Sequence, residues 1–179
     1  MKFAIPLMAA VLLLNCGCAF FGNNYTAPEI YDSVQDISVC DSAVDRLRVS
    51  NESGADRRFL YRGKNNRMTF DEFNLWLLDP ELLISRALKS VFVKRSKKAA
   101  DISCTIDRFE FDIVNNCAIL KLSVDISRRT EQKSFVCDEK EKFSSGSSSS
   151  AASAMNKCIK SALEKICAEY KSFSGKAEK

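Results

Sequence analysis

The chain has 179 residues, of which 46% are hydrophobic, 28% charged and 9% aromatic, values ordinary for a folded domain and distant from disordered, collagen-like or membrane-spanning compositions. A formal net charge of +4 is too mild for a nucleic-acid footprint, which needs a stronger, clustered basic surface. There is no histidine, which removes the imidazole base, imidazole-activated nucleophiles and the commonest metal ligand, and the six glycines never group into a phosphate-cradling loop. The reading is therefore of a protein that is not an enzyme and needs neither metal nor cofactor.

Residues 1–14 carry one positive residue, Lys2, and then an apolar run from Phe3 to Leu14. That length suits the h-region of an export signal and falls short of the roughly 20 apolar residues a membrane helix needs. The run closes in Asn15-Cys16-Gly17-Cys18-Ala19. A small residue directly before a cysteine at this place resembles the lipobox of bacterial lipoproteins. Gly17 suits the position before Cys18, although Asn15 stands where Leu is usual; Cys16 has a suitable Leu13 but is preceded by Asn15. Cys18 is the expected acylation site and Cys16 the alternative, with an ordinary cleaved signal or an uncleaved signal-anchor helix as the competing reading. Several acyl chains such as palmitate hold a protein firmly, since each buried CH₂ contributes about 0.8 kcal/mol. On this reading 1–17 is the lipoprotein signal peptide and 18–36 a polar, aperiodic tether containing Pro28. One domain occupies 37–174, and 175–179 is a charged tail. The roughly 160 residues left after processing suffice for a single core.

Six further cysteines follow: Cys40, Cys104, Cys117, Cys137, Cys158 and Cys167. In an exported domain they point to disulfides, and neither a CxxC pair nor zinc spacing is present. Cys40, Cys104, Cys117 and Cys137 lie in or near predicted strands and are the candidates for at least one bridge. Cys158 and Cys167 fall on one predicted helix, about 13.5 Å apart along its axis, whereas a disulfide needs Cα atoms within roughly 7 Å. The plain alternative is that several are small buried hydrophobes.

Along the chain, residues 45–50 alternate apolar and polar as a strand, and Phe59–Arg62 makes a second. Gly63-Lys-Asn65-Asn66 has turn chemistry, and Met68-Thr-Phe70 returns as a third strand. Asp79 as N-cap, Pro80 at N1 and Glu81 in the first turn then start a helix predicted to run to about residue 94. Its apolar stripe is Leu83, Ile84, Ala87, Leu88, Val91 and Phe92, and the basic run Lys94-Arg95-Ser96-Lys97-Lys98 would close it against the helix dipole. Two strands, 102–113 and 117–127, flank an Asn115-Asn116 turn. Apolar parity slips between Ile106 and Phe109, which predicts a bulge at Asp107-Arg108. Ala118, Leu120, Leu122, Val124 and Ile126 mark one face of the second strand, and a further strand covers Ser134 to about Phe143. After the serine-rich 144–150, Met155, Ile159, Ala162, Ile166 and Tyr170 mark a helix from about 151 to 171. The order βββ-α-βββ-α predicts an α+β fold: an antiparallel sheet of about five to six strands with two amphipathic helices on one face.

The series Arg58-Phe59-Leu60-Tyr61-Arg62, Met68-Thr-Phe70, Trp76, Pro80 with its leucine-rich helix, then Phe109-Glu110-Phe111-Asp112, resembles the ABC-type transport auxiliary lipoprotein family over residues 45–173. Residues 33–57 match that family poorly, and its members are not usually so rich in cysteine. The resemblance implies a non-catalytic, lipid-anchored accessory of a lipid-trafficking system. Its partners would be an ABC permease and ATPase, a protein with a mammalian-cell-entry domain and, as a candidate ligand, phospholipid. It implies a cell-envelope protein facing the periplasm, and Ala19 after Cys18 leans toward the outer membrane. A structural or assembly lipoprotein of the envelope is the alternative. Trp76, in the apolar patch Phe73–Leu78, and Lys97, in the basic run, are candidate partner contacts, with core packing and a solvated helix end as their ordinary readings. Arg62 reads as an ion-pair residue, and Asp107, Glu110 and Asp112 have no evident acid–base partner.

Overall fold

Alternating strands and asparagine turns put most elements where local chemistry predicts them. The computed structural model describes residues 27–32, 38–97 and 99–175. Its order is β1 (Glu29–Tyr31), β2 (Val44–Asn51), β3 (Arg58–Arg62), β4 (Met68–Trp76), α1 (Pro80–Val91), β5 (Ala100–Asp112), β6 (Cys117–Arg128), β7 (Glu131–Lys142) and α2 (Ser148–Gly175). A 3₁₀ turn, Lys64–Asn66, joins β3 to β4 with Asn65 and Asn66 at φ 57° and 59°, and Asn116 turns β5 into β6 at φ 49°. Asparagine visits this left-handed region more readily than other residues with a side chain.

The expected antiparallel sheet of five to six strands is corrected to a mixed sheet of seven, ordered β1-β4-β3-β5-β6-β7 with β2 also paired to β5. The long strand β5 is the reason. Ala100–Ile106 runs parallel to β2, while Phe111 and Asp112 run parallel to Tyr61 and Arg62 of β3, so β2 and β3 line one side of β5 end to end. Parallel neighbours need a crossover, and β4 with α1 supplies it. The β3–β4, β5–β6 and β6–β7 pairs are antiparallel. On the far edge β1 lies parallel to β4, so the segment read as tether contains a strand and the order becomes ββββ-α-βββ-α.

The bulge falls between Ile106 and Arg108 and keeps Phe109 and Phe111 on the side of Ile102, Cys104 and Ile106. These residues, with the five alternating residues of β6, are buried. α1 packs on β2 and β5, α2 on β6 and β7, and the helices touch each other, so both lie on one face. Tyr170 joins the layers: its ring meets Phe92 at 5.2 Å and its hydroxyl donates to the Ala43 carbonyl at 2.5 Å.

α1 ends at Val91, earlier than the stripe predicts, although Phe92 remains buried. The basic residues Lys94, Arg95 and Lys97 therefore sit in the connection to β5 and not on the last helical turn; Lys94 pairs with Asp41. Asp79 occupies the N-cap position without a side-chain cap bond, leaving Pro80 as the main local start signal. Among the described residues no helix is long and apolar enough to cross a membrane.

Candidate functional site

Cys16 and Cys18 lie outside the described residues. Trp76 does not form a partner surface: it is fully buried, with ring centroids 4.8 Å from Phe59, 5.5 Å from Phe109 and 6.3 Å from Phe111. β4 continues through the apolar patch to Trp76, whose backbone N–H donates to the Arg57 carbonyl at 2.6 Å and whose indole packs into the core. Phe73 lies where β4 shifts register against β3, its backbone N–H donating to Asp71, and is 59% exposed. Lys97 is exposed in the connection after α1.

The most organised charged group lies on the helix-free face. Glu110 is 3% exposed, with the guanidinium groups of Arg62 and Arg108 against its carboxylate. Arg62, at the end of β3, forks onto it, Nε to Oε1 and Nη2 to Oε2, both at 2.7 Å. Arg108, brought to the same side by the bulge, donates from Nε to Oε1 at 3.0 Å and also from Nη2. Burial raises the pKa of Glu110, but the hydrogen bonds and charges of Arg62 and Arg108 outweigh it and hold the carboxyl below its ordinary range. Arg62 is correspondingly pushed further up by its bond to Glu110. A carboxylate so held is a poor proton donor at neutral pH; the triad acts as a lock between β3 and β5 with one surplus positive charge. Arg62 also lines a shallow cleft of about 490 Å³ with Lys64, Asn65, Asn66, Asp112 and Asn115. Asp112 serves the turn, accepting from Asn115 Nδ2 at 2.7 Å, and Asp107 accepts from Ser123 Oγ at 2.7 Å.

Arg62 and Glu110 were each visible in the sequence as a polar residue of a strand. Their pairing was not, because it depends on β3 lying beside β5, 48 residues on. Arg108 was visible only as half of the bulge.

No disulfide joins any of the six described cysteines in this structure. Of the four expected to bridge, Cys104 and Cys137 face the helices from β5 and β7 with β6 between them. Two strand spacings come to about 9.5 Å, beyond the reach of a disulfide. Cys117 alternates to the opposite side from Ala118, across from Asp112 and Lys142. Burial, and then the neighbouring Cys40, push the Cys167 thiol on α2 up to about 11. Burial pushes Cys104 and Cys158 up to about 12 and Cys137 to about 11, which keeps them protonated and inert. Cys137 and Cys158 make weak S–H contacts to the carbonyls of Ala162 and Ala118, at 3.9 and 3.7 Å. Among the described residues no group of three or more acidic or cysteine side chains is placed to hold a metal ion.

No family profile matches the sequence, and no curated protein matches it. Solved structures do. An uncharacterized protein superimposes with a TM-score of 0.68 at 8% identity, over 80% of this chain and 99% of its own. Protein XCC0632 from Xanthomonas campestris, of family DUF330, superimposes at 0.63 with 12% identity, over 84% of this chain and 98% of its own. The fold is shared. At such identities the likeness speaks for the fold alone, a mixed α+β sheet with two helices. A third structure, a candidate lipoprotein from Caulobacter crescentus CB15, reaches a TM-score of 0.37 at 16% identity, over 54% of this chain and 84% of its own, and carries no argument.

Proposed function

We propose that the chain is a lipid-anchored protein of the cell envelope, facing the periplasm, that serves without catalysis as an auxiliary component of an ABC-type lipid transport system. The observation that carries this reading is the ordered series on which the family resemblance rests. Arg58–Arg62 is β3, Met68 to Trp76 is β4, and Pro80 opens α1, so the series forms one consecutive hairpin-and-helix unit. Its aromatic residues Phe59, Tyr61 and Trp76 pack with Phe109 and Phe111 of β5, where the series resumes. A run of motifs that is also one packing unit supports descent of the whole unit more than scattered matches would. The lipobox-like Gly17-Cys18 supports the anchor, and acylation at Cys18 would hold the domain at a membrane, the outer one by the Ala19 criterion.

The test is co-purification of the tagged full chain, in mild detergent, with the permease and the mammalian-cell-entry protein, comparing wild type, Phe73→Ala and Lys97→Glu. Phe73 replaces Trp76 as the aromatic to vary because it is the exposed one. Truncating a central anchor costs about 2 kcal/mol of binding, and reversing a rim charge changes mainly the salt dependence. Recovery of neither component with folded wild type would end the transporter reading and leave an envelope assembly role.

A further inference from the structure

Two cysteines more than a hundred residues apart in sequence meet where the chain enters the domain. Cys40 is fully buried, and its backbone is fixed at the end of α1 by its N–H donating to the Val91 carbonyl at 2.8 Å. Cys167 lies on α2 one turn before Tyr170, and residues three apart on a helix share a side. Tyr170 reaches Ala43, and Cys167 shares a cleft with Ser38 and Val39, the residues leading into Cys40, so the preceding turn of α2 lies beside Cys40. Cys167 is partly exposed and lines a surface cleft of about 250 Å³ with Ser38, Val39, Leu163 and Lys171. An oxidant can therefore approach from solvent.

We propose that Cys40 and Cys167 form a disulfide in the exported protein, stapling the start of the domain to its last helix. This rests on the export reading for its oxidising compartment. The oxidant is the disulfide of a thiol–disulfide oxidoreductase or of glutathione. One protein thiolate attacks it, forming a mixed disulfide and releasing one thiol; the second thiolate displaces the other. The protein gains one S–S bond, the oxidant's S–S bond is reduced by two electrons, and the two thiol protons end on the released thiols. Burial, and then contact with Cys40, raise the Cys167 thiol to about 11. Exchange is thus slow in the folded pair and fast while the chain is still folding, and the finished bridge is sheltered from reductant. Cys104 and Cys137 are separated by β6, and Cys117 lies on the opposite sheet face from both.

The reduced full chain is purified in detergent, unfolded, refolded with oxidised and reduced glutathione, alkylated and mapped by mass spectrometry. A linked Cys40–Cys167 peptide is expected, lost in Cys40→Ser and in Cys167→Ser and kept in Cys104→Ser. Closing so long a loop should make the oxidised protein melt about 10 °C above the reduced one, with no such reductant effect in Cys167→Ser. Four free thiols should remain among the six. A different linkage, or six free thiols after refolding, overturns the proposal. Protein that forms the bridge in glutathione but is isolated fully reduced from cells would instead overturn export and leave the pairing intact.

Discussion

Replacing Trp76 by alanine separates a core role from an interface role. The indole is fully buried among Phe59, Phe109 and Phe111, and truncation of such a ring removes its transfer energy and leaves a cavity, together about 3–5 kcal/mol. Against a total stability of about 5–15 kcal/mol, that is about a fifth of the stability or more. At roughly 2–4 °C per kcal/mol for a domain near this size, the melting temperature should fall by about 6–20 °C, with a lower urea midpoint and an unchanged m-value. Trp76→Phe is a sharper probe. The indole Nε1 has no acceptor among the described residues, and losing an unpaired buried donor offsets part of the lost volume, so this variant should fall by about 1.5 kcal/mol or less. Trp76 is the only tryptophan in the chain, so the wild type reports on the site directly, with blue-shifted emission and poor quenching by acrylamide. A Trp76→Ala protein that keeps its fold and melts within 3 °C of wild type, or an easily quenched wild-type emission, would refute the core placement.

Glu110→Gln leaves Arg62 and Arg108 facing each other without their anion. With those side chains 26% and 34% exposed, the cost should be about 2–3 kcal/mol at pH 7, the low end for a broken buried pair. Because the folded pKa of Glu110 is lowered, its contribution is complete above the ordinary carboxylate range and is lost as pH falls through the folded value. The difference between variant and wild type in urea unfolding should therefore shrink steadily in acid, and a gap that persisted there would contradict the triad. Tyr170→Phe orphans the Ala43 carbonyl and the Ala100 N–H, which reaches the hydroxyl at 3.2 Å; a loss of about 1–2 kcal/mol is expected in thermal unfolding. Metabolic labelling with a fatty-acid probe should mark the wild type and fail on Cys18→Ser. Labelling lost only in Cys16→Ser would move the anchor two residues upstream.

The parts of this fold that were legible in the sequence are those decided within a few residues. The alternation of Ala118 to Ile126, the bulge at Asp107-Arg108, the asparagine turns and the stripe on α2 all depend on local geometry, and the structure has them. Strand direction was not legible, because a period of two is the same in parallel and antiparallel neighbours, and the parallel fit of β2 and β3 along β5 is a long-range choice. The choice between a core and a contact role for Trp76 was not legible for a related reason: the apolar patch continues a strand that shifts register against β3 between Phe70 and Leu75, and that shift depends on the pairing. The site followed the same rule. Arg62, Glu110, Cys40 and Cys167 each carried a residue-level signal, and each acquired its partner from pairing across the fold. The three residues of β1 carried almost none, since their strand conformation comes from the edge of β4 that receives them.

That small strand sets the length of the leash. Glu29–Tyr31 are zipped to Asn74–Trp76, the Tyr31 carbonyl accepts from Leu77 N–H at 2.7 Å, and the Tyr31 ring lies 5.2 Å from Phe59. A lipid on Cys18 would thus be joined to the domain by the stretch up to Glu29, at most about 40 Å when fully extended, where a first hold at residue 37 would permit about 65 Å. With such an anchor, the shorter span would keep the sheet edge carrying β1 close to the bilayer surface. Asp32, just beyond, is tied as well, its carboxylate to Arg86 and its carbonyl to the Asn156 side chain, so β1 and Asp32 together fix the point at which such a tether would end.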